Sequence, residues 1–97
     1  MQMMFRCKVK PDQVELNLKL LRAAFEEFAA ERPAGLRYST YQLDDGVTFI
    51  GFVDMGGSPA ALQKLEAFQR YRSTLEERCE EPPTMTMLHE VGSYGFR

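Results

Sequence analysis

Residues 47–53 read Val-Thr-Phe-Ile-Gly-Phe-Val, and this stretch decides the fold. It is apolar at consecutive rather than alternate positions, which is typical of a central strand covered on both faces. Asp44-Asp45-Gly46 precedes it, and residues 36–43 form another β-rich run. Aspartate-glycine between two such runs predicts a two-residue turn, because both of its central residues need a positive φ. We therefore predict a β-hairpin over 36–55.

A strand and a helix precede this hairpin. Residues 3–9 alternate between apolar and polar side chains, which predicts a strand with one apolar face. Asp12 and Glu15 have the spacing of a capping box, which predicts a helix over 13–32. Its apolar residues recur every three or four positions and form one core stripe, made of Val14, Leu18, Leu21, Phe25 and Phe28. Pro33-Ala34-Gly35 ends the helix.

A second helix and a last strand follow the hairpin. Ser58 as N-cap and Pro59 as first helical residue predict a helix that runs to about Cys79. Pro82-Pro83 stops it, and residues 84–91 form the last predicted strand. The order is that of an α+β, ferredoxin-like β-α-β-β-α-β domain. This plan has a four-stranded antiparallel sheet with two helices on one face.

The chain length predicts the number of domains, and the third predicted strand indicates the oligomeric state. A chain of 97 residues fits one domain, so we assign residues 1–97 to a single unit. Two helices on one face leave the other face of the strand at 47–55 uncovered. A second copy of the chain is the simplest cover, so we expect a homodimer.

Composition excludes several classes of function. The net charge of −2 disfavours nucleic-acid binding, which usually needs a basic face. The N-terminal residues lack the apolar run of a signal peptide, and no apolar stretch approaches a membrane span of about 20 residues, so we expect a cytoplasmic protein without membrane contact. Cys7 and Cys79 have neither zinc-site nor CxxC spacing, which predicts two reduced thiols, no metal and no cofactor.

The chain resembles the dimeric α/β-barrel superfamily, in particular the small antibiotic biosynthesis monooxygenase-like proteins. The stretches that carry the resemblance are 5–11, 32–38, 43–49, 77–83 and 91–94. The resemblance implies a homodimer with a cavity between each sheet and its own helices. It also implies a cofactor-independent monooxygenase-like activity on a small aromatic or enolisable molecule. No catalytic residue of the family transfers to a position of this sequence, which has no tryptophan.

Arg72 is the first candidate for the site. On a continuous second helix it projects near the middle of the apolar face, with Tyr71 at the edge of that face. A buried, unpaired guanidinium costs several kcal/mol, so it needs a partner. That partner is an enolate, phenolate or carboxylate ligand, which a planar fork binds well. The alternatives are an internal ion pair with Glu90 or Asp54, or a side chain that reaches solvent.

His89 and two more tyrosines complete the candidates. His89 is the only histidine and shares a strand face with Met85, Met87 and Val91. It is either a general base or a hydrogen-bonded core or interface residue. Tyr38 and Tyr41 point to opposite faces of their strand, so at most one of them reaches the cavity. The other interpretation is that these tyrosines are half-buried packing residues whose hydroxyl groups reach water.

Three functions remain open from the sequence. The first is a cofactor-independent enzyme whose site combines Arg72, His89 and a tyrosine. The second is a small-molecule-binding module for an anionic or aromatic ligand. The third is a protein-interaction module with a closed core and an internally paired Arg72. A fold by itself does not decide among them.

Overall fold

The computed structural model of the chain describes residues 2–56 and 60–96. Within them, one antiparallel sheet contains β1 (Gln2–Lys8), β2 (Leu36–Gln42), β3 (Thr48–Met55) and β4 (Thr84–Leu88), in the order β2-β3-β1-β4. Helix α1 (Val14–Glu31) joins β1 to β2, and a 3-10 turn (Pro11–Gln13) precedes it. Three short helices, α2 (Ala60–Gln63), α3 (Glu66–Ser73) and α4 (Leu75–Arg78), lie between β3 and β4. The predicted ferredoxin-like fold is confirmed.

The pairing register separates the two faces of the sheet. Gly51 of β3 lies between Phe5 of β1 and Thr40 of β2, and all three residues face the helices. Because side chains alternate along a strand, Ile50 and Phe52 point to the opposite face. No helix of the described residues covers that outer face, and Phe52 is 41% exposed there. The third strand is therefore apolar on both faces, as predicted, but the described residues cover only one of them.

The core lies between the sheet and the helices. One cluster joins Leu21 of α1 and Tyr71 of α3 to Phe49 of β3, with both cysteines beside them. A second cluster packs Ala24 of α1 against the buried side chains of the broken helical segment, which are Leu62, Leu65 and Phe68. The most buried line of α1 is Asn17, Leu21 and Ala24. Of the predicted stripe, Leu21 lies on this line, whereas the other four residues flank it and are only partly buried, namely Val14, Leu18, Phe25 and Phe28.

The predicted continuous second helix is wrong. Leu65 has an extended conformation (φ −92°, ψ 100°), which separates α2 from α3, and Thr74 (φ −109°, ψ 8°) separates α3 from α4. The breaks let every third side chain face the core, namely Leu62, Leu65, Phe68 and Tyr71. An unbroken helix repeats every 3.6 residues, so its face would drift away from this line. Ser58 and Pro59, the predicted start of the helix, lie outside the described residues.

A side chain of α1 sets the start of α3. The Glu27 carboxylate accepts a hydrogen bond from the backbone N–H of Phe68 at 3.0 Å. The first N–H groups of a helix have no partner within it. A carboxylate at that position accepts a hydrogen bond from them and is also attracted to the positive end of the helix dipole. Glu27 therefore fixes where α3 begins, and with it which residues of α3 face the sheet.

Two local predictions need correction. The helix N-cap is Gln13, and neither it nor Lys10 makes a side-chain capping bond, so the capping box at Asp12 does not form. The hairpin turn is longer than two residues, because Gly46 has a positive φ (77°) while Asp45 does not. Instead the Asp45 carboxylate accepts hydrogen bonds from the N–H groups of Val47 and Thr48 and from the Thr48 hydroxyl, at 3.0, 2.9 and 2.6 Å.

The last predicted strand is shorter than its pattern suggested. β4 ends at Leu88, so residues 89–96 follow the sheet without belonging to it. Val91, Tyr94 and Phe96 are almost fully exposed in this segment. In the part of the chain that the structure describes, no helix has the length and apolar character needed to cross a membrane.

Candidate functional site

A cavity of about 220 Å³ lies between the helix-facing side of the sheet and the α3–α4 segment. All four strands contribute to it, through Phe5 and Cys7 of β1, Tyr38 and Thr40 of β2, Phe49 and Gly51 of β3, and Thr84 and Met85 of β4. The helical wall is formed by Phe68, Tyr71, Arg72, Leu75 and Glu76, with Pro83 at the start of β4. The lining is mainly apolar and aromatic with a few polar groups, which is the usual character of a small-molecule site.

Tyr38 belongs to an aromatic cluster at one wall of the cavity. Its ring lies 5.5 Å from Phe25, 5.6 Å from Phe28 and 6.0 Å from Phe68, measured between ring centroids. Such contacts hold the ring in place and leave its hydroxyl as the polar end. Burial raises the pKa of Tyr38 to about 12, although the positive charge of Arg72 acts in the opposite direction. At neutral pH Tyr38 is therefore a phenol that can donate a hydrogen bond.

Tyr71 faces Tyr38 from the helical wall, and it is buried in the core. Burial raises the pKa of its phenol well above the ordinary value, and the nearby Tyr38 adds to this effect. On its other side the guanidinium carbon of Arg78 lies 5.3 Å from the ring centroid, a distance suited to a cation–π contact. The two phenols thus form a neutral, donor-bearing lining.

Arg72 lies at the mouth of the cavity. The predicted burial of this side chain is wrong, because Arg72 is exposed. The breaks in the helical segment turn Tyr71 inward and Arg72 outward. It nevertheless lines the cavity, and its charge lowers the pKa of Tyr38 across it. In the ligand-free protein the exposed guanidinium is hydrated, so it does not need an internal ion pair.

Thr40 supplies a further polar atom that the sequence did not single out. Its hydroxyl oxygen is buried and has no hydrogen-bond partner in the described part of the chain. It lies beside Gly51, where an added Cβ atom would meet the Thr40 oxygen at 3.5 Å and Tyr38 Cε1 at 3.7 Å. The absence of a side chain at Gly51 therefore keeps open the space next to both polar groups.

His89 and Tyr41 are not in this cavity. His89 is exposed and lies just beyond the end of β4, so the predicted strand face with Met85 and Met87 does not include it. Tyr41 points to the outer face of the sheet, where its ring lies 6.0 Å from that of Phe52. Of the five candidates, the structure brings together Arg72, Tyr71 and Tyr38. Tyr38 and Tyr41 do point to opposite faces, as predicted.

Among the described residues the buried arginine is Arg78, which was not predicted from the sequence. It is 2% exposed and donates to Asn17 Oδ1 at 3.0 Å, to Thr74 Oγ1 at 2.6 Å and to the carbonyl oxygen of Tyr71 at 2.9 Å. Burial lowers the pKa of its guanidinium. The available signal was Asn17, the only asparagine, inside an otherwise apolar helix stripe. Arg78 supports the back of the helical wall and lies outside the cavity lining.

The acidic and thiol groups complete the chemical inventory of the site. Glu76 is exposed at the cavity rim, and Cys7 lies at its inner end. Among the residues that the structure describes, no three histidine, cysteine, aspartate or glutamate side chains are grouped so that they could hold a metal ion. The site therefore combines hydrogen-bond donors, the Arg72 cation and the Glu76 carboxylate at the rim around an apolar centre.

No family model matches the chain, and no curated protein matches it. Solved structures do: an antibiotic biosynthesis monooxygenase superposes with a TM-score of 0.71 and 20% identity, over 94% of this chain and 98% of the other. The chain has the antibiotic biosynthesis monooxygenase-like fold. This agrees with the resemblance inferred from the sequence.

Two further structures extend this match. A candidate antibiotic biosynthesis monooxygenase from Bacteroides thetaiotaomicron has a TM-score of 0.75 at 12% identity, over 100% of this chain and 93% of its own. Another from Nitrosomonas europaea has a TM-score of 0.71 at 16% identity, with coverages of 97% and 92%. At such identities the likeness concerns the antibiotic biosynthesis monooxygenase-like fold alone, and the site must be judged from its own residues.

Proposed function

We propose that the cavity binds a small, flat, aromatic or enolisable anion. The observation that carries this proposal is the convergence of Tyr38, Tyr71 and Arg72 on one apolar cavity. Two protonated phenols donate hydrogen bonds, and a guanidinium supplies the opposite charge. An oxyanion attached to a planar ring system matches both features, because such an anion accepts charge-assisted hydrogen bonds while its rings contact aromatic walls.

The size of the cavity limits the ligand. A cavity of roughly 150 Å³ can hold one benzene ring. The 220 Å³ found here therefore suits one or two fused rings rather than a polycyclic molecule. Thr40 offers one more hydrogen-bonding group, since its buried hydroxyl has no partner in the described residues. The ligand class is thus a compact phenolate, enolate or aromatic carboxylate.

The proposed activity is oxygenation of the bound anion by molecular oxygen without a cofactor. One oxygen atom converts an acidic CH₂ carbon of the substrate to a carbonyl, and the other leaves as water with the two hydrogens of that carbon. Its support is the fold, which the chain shares with proteins named as antibiotic biosynthesis monooxygenases. Because Tyr38 and Tyr71 both hold their protons, neither can act as a base at neutral pH. The phenols therefore do not take the proton of the substrate, and the proposed substrate enters already as its anion, which Arg72 then stabilises at the mouth.

Binding is tested with indandione, a flat two-ring diketone that ionises near neutral pH. Calorimetric titration should detect saturable binding to the wild type, and weaker binding of indanone, which lacks the acidic enol. Gly51→Leu should abolish binding because the new side chain fills the cavity. Gly51→Ala is the matched control, since its Cβ atom makes only ordinary contacts. Equal binding by both variants would exclude this cavity as the site.

Turnover is a separate question with a separate assay. In the presence of indandione, the rate of oxygen consumption should rise with the concentration of wild-type protein and should not rise with the concentration of the Gly51→Leu variant. A second candidate function is binding without chemistry, and it is favoured by the position of His89 outside the cavity. Saturable binding without enhanced oxygen consumption would assign that second function and reject the oxygenase.

We further propose that the chain forms a homodimer through the outer face of its sheet. Phe52 and Tyr41 are in edge-to-face contact there and are 41% and 51% exposed. A second copy would cover this aromatic pair and the apolar side of β3, which no described helix covers. Light scattering should give twice the mass of the chain for the wild type and the monomer mass for Phe52→Glu. Leu16→Glu, which adds the same charge on the exposed side of α1, should remain a dimer.

A further inference from the structure

A second pocket lies beside the aromatic wall of the cavity. It has a volume of about 340 Å³, and its lining is formed by Phe25, Phe28, Arg32, Pro33, Leu36 and Tyr38. Tyr38 also lines the cavity of about 220 Å³, and among the described residues it is the one that the two linings share. The cavity and the second pocket are therefore neighbours that meet at Tyr38.

The Tyr38 side chain contacts residues of both linings. Its Cε1 atom lies 3.7 Å from the position that a Cβ atom of Gly51 would occupy, and Gly51 lines the cavity. Its ring centroid lies 5.5 Å from that of Phe25 and 5.6 Å from that of Phe28, and both of these rings line the second pocket. The phenol ring of Tyr38 is therefore a wall of both spaces.

The aromatic cluster restrains this ring from moving aside. Phe25 meets the Tyr38 ring edge to face at an interplanar angle of 86°, and Phe68 meets it at 77°. Phe28 in turn contacts Phe25 and Phe68, with ring centroids 5.5 Å apart in each case. A rotation of Tyr38 out of this cluster would break three favourable aromatic contacts together. In the ligand-free protein Tyr38 therefore keeps the cavity and the second pocket apart.

The second pocket resembles the cavity in its chemistry. Its walls are aromatic and aliphatic, and Arg32 lines it as an exposed cation, as Arg72 does at the mouth of the cavity. Arg32 ends α1 with a positive φ (48°), and its backbone N–H donates to the carbonyl oxygen of Phe28 at 2.9 Å. A flat apolar ring system therefore suits both spaces, and the Tyr38 ring confines such a ligand to one of them.

We propose that Tyr38 is a specificity-determining residue whose ring sets the upper size of the ligand. This inference rests on the proposed function, since it concerns the same cavity and the same class of flat anion. With the ring in place, the ligand is limited to one or two fused rings. Without it, the cavity would continue into the second pocket and admit a third ring. This role depends on the volume of the ring and is separate from the hydrogen bond that the Tyr38 hydroxyl donates.

The test compares two anions on the wild type, Tyr38→Ala and Tyr38→Phe by calorimetric titration. Indandione has two fused rings, and alizarin is a phenol with three fused rings that ionises near neutral pH. The wild type should bind indandione about tenfold or more tightly than alizarin, a ratio that pocket size commonly gives. In Tyr38→Ala the affinity for alizarin should rise by about tenfold or more. Tyr38→Phe keeps the ring, so it should still reject alizarin although its affinity for indandione falls.

A block in the second pocket tests where the third ring lies. Leu36→Trp, added to Tyr38→Ala, places an indole in that pocket and should abolish the gain for alizarin while indandione still binds. Leu16→Trp, the same change at an exposed position of α1, should leave the gain intact. Tyr38→Leu is measured in parallel, because it removes the ring with a smaller loss of buried volume if Tyr38→Ala does not fold. Circular dichroism checks the fold of each variant.

Three results overturn the proposal. Equal affinities of the wild type for the two anions would show that the ring sets no limit, and this result needs no variant. The other two are the absence of a gain for alizarin in the folded Tyr38→Ala and Tyr38→Leu variants, and a gain that survives Leu36→Trp. In all three cases the wild type still binds indandione, so the proposed function stands. Absence of indandione binding to the wild type would instead overturn the proposed function, and this inference with it.

Discussion

Two arginines of the segment from Glu66 to Arg78 lie in opposite environments. Arg78, at the inner end, is buried and donates three hydrogen bonds to neutral oxygen atoms of the protein. Arg72, near the end of α3, is exposed at the mouth of the cavity. Only the inner arginine has its donors engaged by the fold. The comparison separates an arginine that stabilises the wall from one that is free to meet a ligand.

The largest expected effect is at the inner end. Arg78→Met leaves two buried acceptors, Asn17 Oδ1 and the carbonyl oxygen of Tyr71, without this donor. Each buried unsatisfied group costs about 1–3 kcal/mol. We expect the free energy of unfolding to fall by about 2–4 kcal/mol, because loss of the desolvated charge offsets part of the damage. Urea denaturation at fixed protein concentration measures it.

The paired control sharpens that result. Arg78→Met combined with Asn17→Leu removes both partners, so the double variant should be more stable than the sum of the two single changes by about 1–2 kcal/mol. An increase in stability for Arg78→Met alone would show that the neutral oxygen atoms do not compensate for the buried charge.

The next effect concerns the start of α3. Glu27→Ala removes the side-chain bond to the N–H of Phe68, and a lost helix cap costs about 1 kcal/mol. Since this bond fixes which residues of α3 face the sheet, the loss should also weaken ligand binding in the cavity. Glu26→Ala, at the exposed neighbouring position of α1, is the control. Equal loss of stability in both variants would mean that the stability depends on the negative charge of α1 rather than on the hydrogen bond to Phe68.

The third effect is a pH dependence that distinguishes the cavity wall from the surface. The folded pKa of Tyr38, about 12, lies above its ordinary value of 10.0. The neutral phenol is thus favoured in the folded state, so its contribution is present below pH 10 and is lost as the pH rises toward 12. Tyr38→Phe should reduce the fall in stability over that range, whereas Tyr94→Phe, at the exposed end of the chain, should not. Parallel curves for all three proteins would contradict the burial of the phenol.

The first half of the chain was predictable because its patterns are local and uninterrupted. The alternation in β1 and the stripe of α1 each lie within one regular element, so the period of each predicted its secondary structure. The hairpin was marked by Asp-Gly between two neighbouring β-rich runs. The opposite directions of Tyr38 and Tyr41 follow from the period of two and are confirmed. In the same way, the doubly apolar run at 47–53 correctly identified β3 as a central strand.

The second half was less predictable for a physical reason. No glycine or proline occurs between Ala60 and Glu81, so nothing local marks the breaks at Leu65 and Thr74. These breaks depend on packing against α1 and on the distant carboxylate of Glu27. A continuous helical wheel therefore placed Arg72 in the core and did not indicate that Arg78 is buried. The candidate site was predicted in part, because Tyr71 and Arg72 line the cavity both on the predicted continuous helix and on the observed broken one.

The most direct test of the central claim is the affinity for indandione of Arg72→Gln against Arg70→Gln. Both arginines are exposed on α3, but only Arg72 lines the cavity. Both variants should keep the stability of the wild type within about 0.5 kcal/mol. We predict that Arg72→Gln weakens binding about tenfold, the loss of one charge-assisted hydrogen bond, while Arg70→Gln binds like the wild type. Equal affinities for the two variants would contradict the assignment of Arg72 as the anion-binding residue.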